Sequence, residues 1–160
     1  MPQIIEFPAR HYVGIRATVT MTTFGVVADR LGEIFAWLAE RGAPPAGGPF
    51  FRYFVIDMKG DLRVEGGVPV ATPVEGEGDI FAATLPAGRY VTETHAGHPD
   101  QLIDATAALL AWAESQGLRF DMTREPDGEH WGSRLEIYHT NPEEQPDMNK
   151  WETELQFRLA

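Results

Sequence analysis

The run Pro8-Ala9-Arg10-His11-Tyr12-Val13 returns later in the chain as Pro86-Ala87-Gly88-Arg89-Tyr90-Val91. Each copy leads into an apolar helical pattern that closes on Trp, four residues and Gly, as Trp37 to Gly42 and as Trp112 to Gly117. Two copies are too few for a solenoid, in which three or more stacked units bury a continuous core. The halves, about 1–70 and 79–160, are therefore expected to pair within a single domain of residues 1–160, with a cleft between them.

Within the first half, Ile4 to Phe7 and Tyr12 to Val19 read as extended, and Pro8, which lacks a ladder donor, predicts a kink or bulge between them. Phe24, Val27, Leu31, Ile34, Phe35 and Leu38 recur at spacings of three and four. That pattern predicts a core-facing helix, capped by Thr22 or Thr23 and closed by Gly42, Pro44 and Pro45. Phe50 to Asp57 and Leu62 to Val70 are rich in strand formers, with Lys59-Gly60 as the turn. Pro69 to Gly78 lacks apolar periodicity and reads as a linker.

The second half restarts with strands at Ile80 to Leu85 and Arg89 to His95. A helix opened by Pro99 and Asp100 runs through Trp112 to Gly117, and strands follow at Arg134 to His139 and Trp151 to Leu159. The fold class is α+β: a tandem β-α-β-β repeat, with an antiparallel sheet, two long helices on one side and a ligand cleft on the other.

The charge narrows the partners. With 24 acidic and 13 basic residues the formal charge is -11, which opposes a phosphate backbone, so no direct nucleic-acid contact is expected. The chain has no cysteine, which excludes disulfides, thiolate chemistry and the common zinc-finger patterns, and suits the cytoplasm. No run approaches the roughly 18 apolar residues of a membrane span. His95 and His98 flank Gly97 at a strand-to-helix turn without a close third ligand, so neither a metal nor a cofactor is expected, and a capping or solvent role suits them better. Gly76-Glu77-Gly78-Asp79 lacks the lysine and helix of a phosphate loop, and Ser115 and Ser133 stand in no nucleophile elbow.

Glu136 is the residue most able to carry chemistry. Alternation puts it with Tyr138 on one strand face and Leu135 with Ile137 on the other. If Leu135 and Ile137 meet the helices, Glu136 lines the cleft. There a carboxylate can attract a cation, hold a hydrogen bond, or act as general acid or base once burial raises its pKa. Alternation alone fits a solvated face as readily. Phe51, Tyr53 and Val55 share a face of the matching first-half strand, and Trp131 stands just before the Glu136 strand. These aromatics suit either stacking on a flat ligand or core packing, and the Tyr53 hydroxyl favours a polar face. Trp37 with Trp112, and Tyr12 with Tyr90, occupy matching places and are assigned to packing. Glu143, Glu144 and Asp147 read as a solvated loop.

Several runs, in their order and spacing over nearly the whole chain, resemble the GyrI-like small-molecule-binding domain. They are Gly48-Pro49-Phe50-Phe51-Arg52-Tyr53, Leu85-Pro86-Ala87-Gly88-Arg89-Tyr90, His95-Ala96-Gly97, Leu135-Glu136-Ile137-Tyr138 with Pro142, and Thr153-Glu154-Leu155. That family includes effector domains of AraC-type and multidrug-responsive MerR-type activators, the DNA gyrase inhibitor protein, and stand-alone members similar to hydrolases of strained xenobiotics. The resemblance implies a central ligand cleft and places the family's cleft glutamate at Glu136, with Tyr53 and Tyr138 beside it. Phe51 and Trp131 complete the candidate set.

Three functions stay open. The first is a stand-alone binder of hydrophobic drug-like molecules, cations included. The second is a hydrolase using Glu136 as acid or base with Tyr53 or Tyr138 as hydrogen-bond donor. The third is a module that restrains a protein partner such as a topoisomerase. A first strand at about residue 4 leaves no room for a helix-turn-helix, so a transcription factor is not expected.

Overall fold

The computed structural model describes residues 2–20, 22–23, 25–57 and 60–160; Phe24 and Lys59, predicted in the first helix and in a turn, lie outside them. The first half contains β1 (Gln3–Phe7), β2 (Arg10–Val19), α1 (Gly25–Ala28), α2 (Leu31–Glu40), β3 (Phe50–Ile56) and β4 (Leu62–Pro69). The second contains β5 (Phe81–Leu85), β6 (Gly88–Ala96), α3 (Leu102–Ser115), β7 (Met122–Glu125), β8 (Gly128–Trp131), β9 (Arg134–Tyr138) and β10 (Glu152–Arg158). The fold is α+β, with an antiparallel sheet and the helices on one side of it.

Gly42 and Gly117 end α2 and α3 in the left-handed region, at φ 62° and 71°. In both caps the next residue donates back five positions, Ala43 to Leu38 and Leu118 to Ala113. This is the Schellman pattern, which satisfies carbonyls left over at a helix end. The first helix is broken at Asp29 and Arg30, and the Thr23 hydroxyl accepts from the Thr20 N–H at 2.7 Å instead of capping it. In the second half His98 caps the turn that leads into α3, accepting from the Asp100 N–H at 3.0 Å.

The sheet order is β1-β6-β10-β9-β3-β4-β2-β5, with the β7–β8 hairpin attached to β3 through β8. Exchanging β1 with β5, β2 with β6, β3 with β9 and β4 with β10 reproduces this order read backwards. Pro8-Ala9 and Pro86-Ala87 are thus crossing points rather than bulges: β1 pairs with β6 and β2 with β4 and β5. A residue without an N–H is a natural place for a strand to change partners.

Those short connections also force curvature. In a flat sheet β1 and β2 would lie six strands apart, roughly 29 Å at about 4.8 Å per strand, far beyond what two residues span. The sheet curls until its ends meet, and Arg10 Nη1 on β2 donates to Gln156 Oε1 on β10 at 2.9 Å.

Both faces of the sheet are buried. On the outer face, Ile34 and Leu38 of α2 pack on Val13, Ile15 and Val68, while Leu102 and Leu109 of α3 pack with Val91, Leu155 and Phe157. Inside the curl Tyr12, Phe50, Leu85 and Leu135 form a core with no helix over it. Tyr12 and Tyr90 are both fully buried anchors, the latter donating to the Pro86 carbonyl at 2.7 Å. Trp37 and Trp112 are half-buried against the core. Among the described residues no helix is long and apolar enough to cross a membrane.

Candidate functional site

The strand register identifies the centre of the molecule. Tyr12 faces Pro69, and two residues earlier on β4 Gly67 faces Phe50. By the same steps Tyr90 faces Arg158, and two residues earlier on β10 Gln156 faces Leu135. Phe50 therefore corresponds to Leu135, Phe51 to Glu136, and Tyr53 to Tyr138. Phe51 and Glu136 are also direct cross-strand partners, so the pseudo-two-fold axis passes between them.

Leu135 packs inside the curl with Tyr12 and Phe50. The expectation that Leu135 and Ile137 meet the helices is thus inverted: Glu136, flanked by Phe51 and Leu155 in register, faces the helix side. α3 rests on β6 and packs with Leu155 and Phe157 of β10, while α1 and α2 rest on β2 and β4, so β9 and β3 lie between the two sets of helices. Glu136 lies deep among protein atoms yet stays partly exposed.

Three of the predicted site residues meet there. Tyr53 donates to Glu136 Oε1 at 2.8 Å and Tyr138 to Oε2 at 3.2 Å. Burial pushes the Glu136 carboxyl above the usual carboxylate range, while the two hydroxyls and the nearby Arg134 charge oppose the rise. Burial, together with the Glu136 charge, also raises both phenols, so they stay protonated donors at neutral pH. A carboxylate so placed can receive a cation, accept further hydrogen bonds, or exchange a proton with a bound molecule.

The other two predicted residues play different parts. Phe51 is buried opposite Glu136, its ring edge-on to Tyr138 at 5.4 Å. Trp131 lies on β8, buried against Phe120 and Phe157, and reaches the site through Arg134, whose guanidinium lies over its ring. Val55 does not continue the face of Phe51 and Tyr53. A bulge at Phe54 shifts the register, and Ile56, opposite Leu62, takes that role. Arg134, two residues before Glu136 on the same face, is a site neighbour that alternation alone predicts. The second buried carboxylate, Glu65, lies inside the curl, where Tyr12 donates to it and Arg16 Nε pairs with it at 2.9 Å. It belongs to the core.

A model of the GyrI-like small molecule binding domain matches residues 1–160. The chain belongs to that family. No curated protein matches it by sequence. Among solved structures of this fold, the EcmrR C-terminal domain is 22% identical with a TM-score of 0.77, over 100% of this chain and 97% of that one. In an EcmrR–DNA complex, at 21% identity and a TM-score of 0.78, this chain covers 57% of the EcmrR chain. SAV2435 bound to tetraphenylphosphonium is 12% identical with a TM-score of 0.66, over 100% of this chain and 94% of that one. A hydrolase from Listeria innocua is 12% identical with a TM-score of 0.63, over 99% of this chain and 91% of that one. The chain is a GyrI-like small-molecule-binding domain, and these likenesses show its fold.

Proposed function

We propose that the chain is one effector-binding domain of two repeats, about 1–70 and 79–160, that captures hydrophobic, drug-like molecules, cations included, on the floor between its helices. Glu136 is the polar anchor, Tyr53 and Tyr138 hold its carboxylate, and Phe51 and Trp131 supply apolar wall. The observation that carries this reading is a partly exposed carboxylate on the pseudo-two-fold axis, held by a tyrosine from each half. Such a group is costly to bury, and a ligand that satisfies it gains a charge-assisted contact in a low-dielectric recess. The tetraphenylphosphonium bound by SAV2435 supports a lipophilic cation as the first probe.

The test is Glu136→Gln, which keeps shape and removes charge. Loss of a desolvated charge partner should cost tetraphenylphosphonium roughly 2 to 5 kcal/mol of affinity, with little effect on a neutral aromatic probe. Unchanged affinity for every probe that binds on this floor would remove Glu136 from the site.

The raised carboxyl of Glu136 favours a second reading, a hydrolase in which it activates water while Tyr53 or Tyr138 donates a hydrogen bond. In that case Glu136→Gln should leave binding intact and lower turnover about a hundredfold or more.

A further inference from the structure

Arg134 and Glu136 leave β9 on the same face, two residues apart. The Arg134 guanidinium carbon lies 4.5 Å from the ring centroid of Phe157, 4.8 Å from that of Trp131 and 5.7 Å from that of Tyr53. All three are within the roughly 6 Å over which a ring face attracts a cation. Tyr53 therefore serves two charges, offering its ring to the guanidinium and its hydroxyl to the carboxylate. Among the described residues no hydrogen bond or ion pair fixes the Arg134 side chain, and burial disfavours its charge while Tyr53, Glu136 and Glu129 favour it. The floor already holds an organic cation in an aromatic seat beside an anion.

We propose that Arg134 is the resident cation of this site, filling the seat that a ligand's cationic centre would use and so setting which charges the site accepts. The inference rests on the reading of Glu136 as ligand anchor and adds a selectivity residue to it. With Arg134 seated, its charge offsets that of Glu136 at the anchor itself, and Glu129 is a further carboxylate acting on the guanidinium. A permanent cation must first expel the guanidinium, which its long, unbonded stem permits at the loss of three ring contacts. A neutral aromatic ligand can bind with the guanidinium in place. The native site should thus prefer neutral aromatics to permanent cations of the same shape.

The experiment is titration calorimetry of the full chain with tetraphenylphosphonium and with neutral triphenylphosphine oxide. The proteins compared are the native one, Arg134→Met, which keeps length and ring contacts without charge, and Arg134→Lys, which keeps the charge. Arg134→Met should bind the phosphonium about tenfold or more tightly than the native protein and the oxide within about threefold, while Arg134→Lys stays near native for both. Phosphonium affinity that is unchanged or weaker in Arg134→Met, beside intact oxide binding, overturns the role of Arg134 and leaves the floor as a ligand site. An equal gain for both probes also overturns it, since only bulk would then have mattered. Failure of all three folded proteins to bind either probe overturns the ligand-site reading and this inference with it. If the Met variant does not unfold cooperatively, Arg134→Gln takes its place under the same criteria.

Discussion

Tyr53 and Tyr138 stand at corresponding positions of β3 and β9, and each donates its hydroxyl to a different oxygen of the same carboxylate. One lies diagonally across the strand pair from Glu136 and the other two residues along its own strand, so they approach it from opposite ends. The clamp is symmetric in origin and unequal in length, at 2.8 and 3.2 Å.

That inequality gives a first prediction. Removing either hydroxyl withdraws a donor that favours the ionised carboxyl, so Tyr53→Phe and Tyr138→Phe should both raise the Glu136 pKa, the first by more. Loss of the longer Tyr138 bond should cost about 1.5 kcal/mol in the ionised state, the low end for a bond to a charged group, and loss of the shorter Tyr53 bond more. Titration of the Glu136 side-chain carbon by NMR reads both effects. A lower pKa in either variant would mean that the hydroxyls do not favour the ionised form.

A second prediction concerns pH. Glu136 titrates above the ordinary carboxylate range, while Tyr53 and Tyr138 are pushed up, away from neutrality, and Arg134, though lowered, starts from an arginine value. Affinity for tetraphenylphosphonium should therefore rise with pH through the Glu136 titration and then level off, and Glu136→Gln should flatten the profile. Stability should run the other way. A pKa raised by folding means that the fold favours the protonated carboxyl, so this contribution is present at acid pH and lost as pH rises through the folded value. Relative to Glu136→Gln, the native protein should lose thermal stability as pH rises from the ordinary carboxylate range through the raised Glu136 titration, measured by calorimetry without ligand.

A third prediction separates the curled core from the site. An added Cβ at Gly67 would lie 2.7 Å from Phe50 Cζ and 3.0 Å from Tyr12 Cδ2, and both rings are fully buried. Gly67→Ala should cost about 1–3 kcal/mol, the usual scale of overpacking. At about 2–4 °C per kcal/mol for a chain of this size, the loss of Tm is measurable by calorimetry. Ligand affinity should change little, since Gly67 faces away from Glu136. A large loss of affinity with unchanged Tm would contradict this separation.

Alternation along Leu135-Glu136-Ile137-Tyr138 was enough to join Glu136 with Tyr138 on one face, and the matching strand supplied Tyr53. Which face meets the helices was not legible, because the curl buries both. Tyr12, Phe50, Leu85 and Leu135 put an apolar cluster on the inner face as well as the outer one. The bulge at Phe54 was hidden for a related reason, as it is set by how β3 pairs with β4 and not by local preference. The β7–β8 hairpin left a visible mark in Pro126-Asp127-Gly128, a turn sequence between short polar strands. Arg134 was as visible by spacing as Tyr138, on the other side of Glu136.

The cross-strand pairing of Phe51 with Glu136 sets a limit on how alike the two halves can become. Glutamate at both positions would set two carboxylates directly across a strand pair, with Cβ atoms about 4.5–5.5 Å apart in a partly dry recess. Two such acids could not both ionise without strong repulsion, and one would keep its proton at neutral pH. A phenylalanine on one side leaves a single charge with both tyrosines to itself. The symmetry of the backbone thus depends on broken symmetry at its own axis, and a ligand anchored to Glu136 meets a receptor with distinct left and right sides.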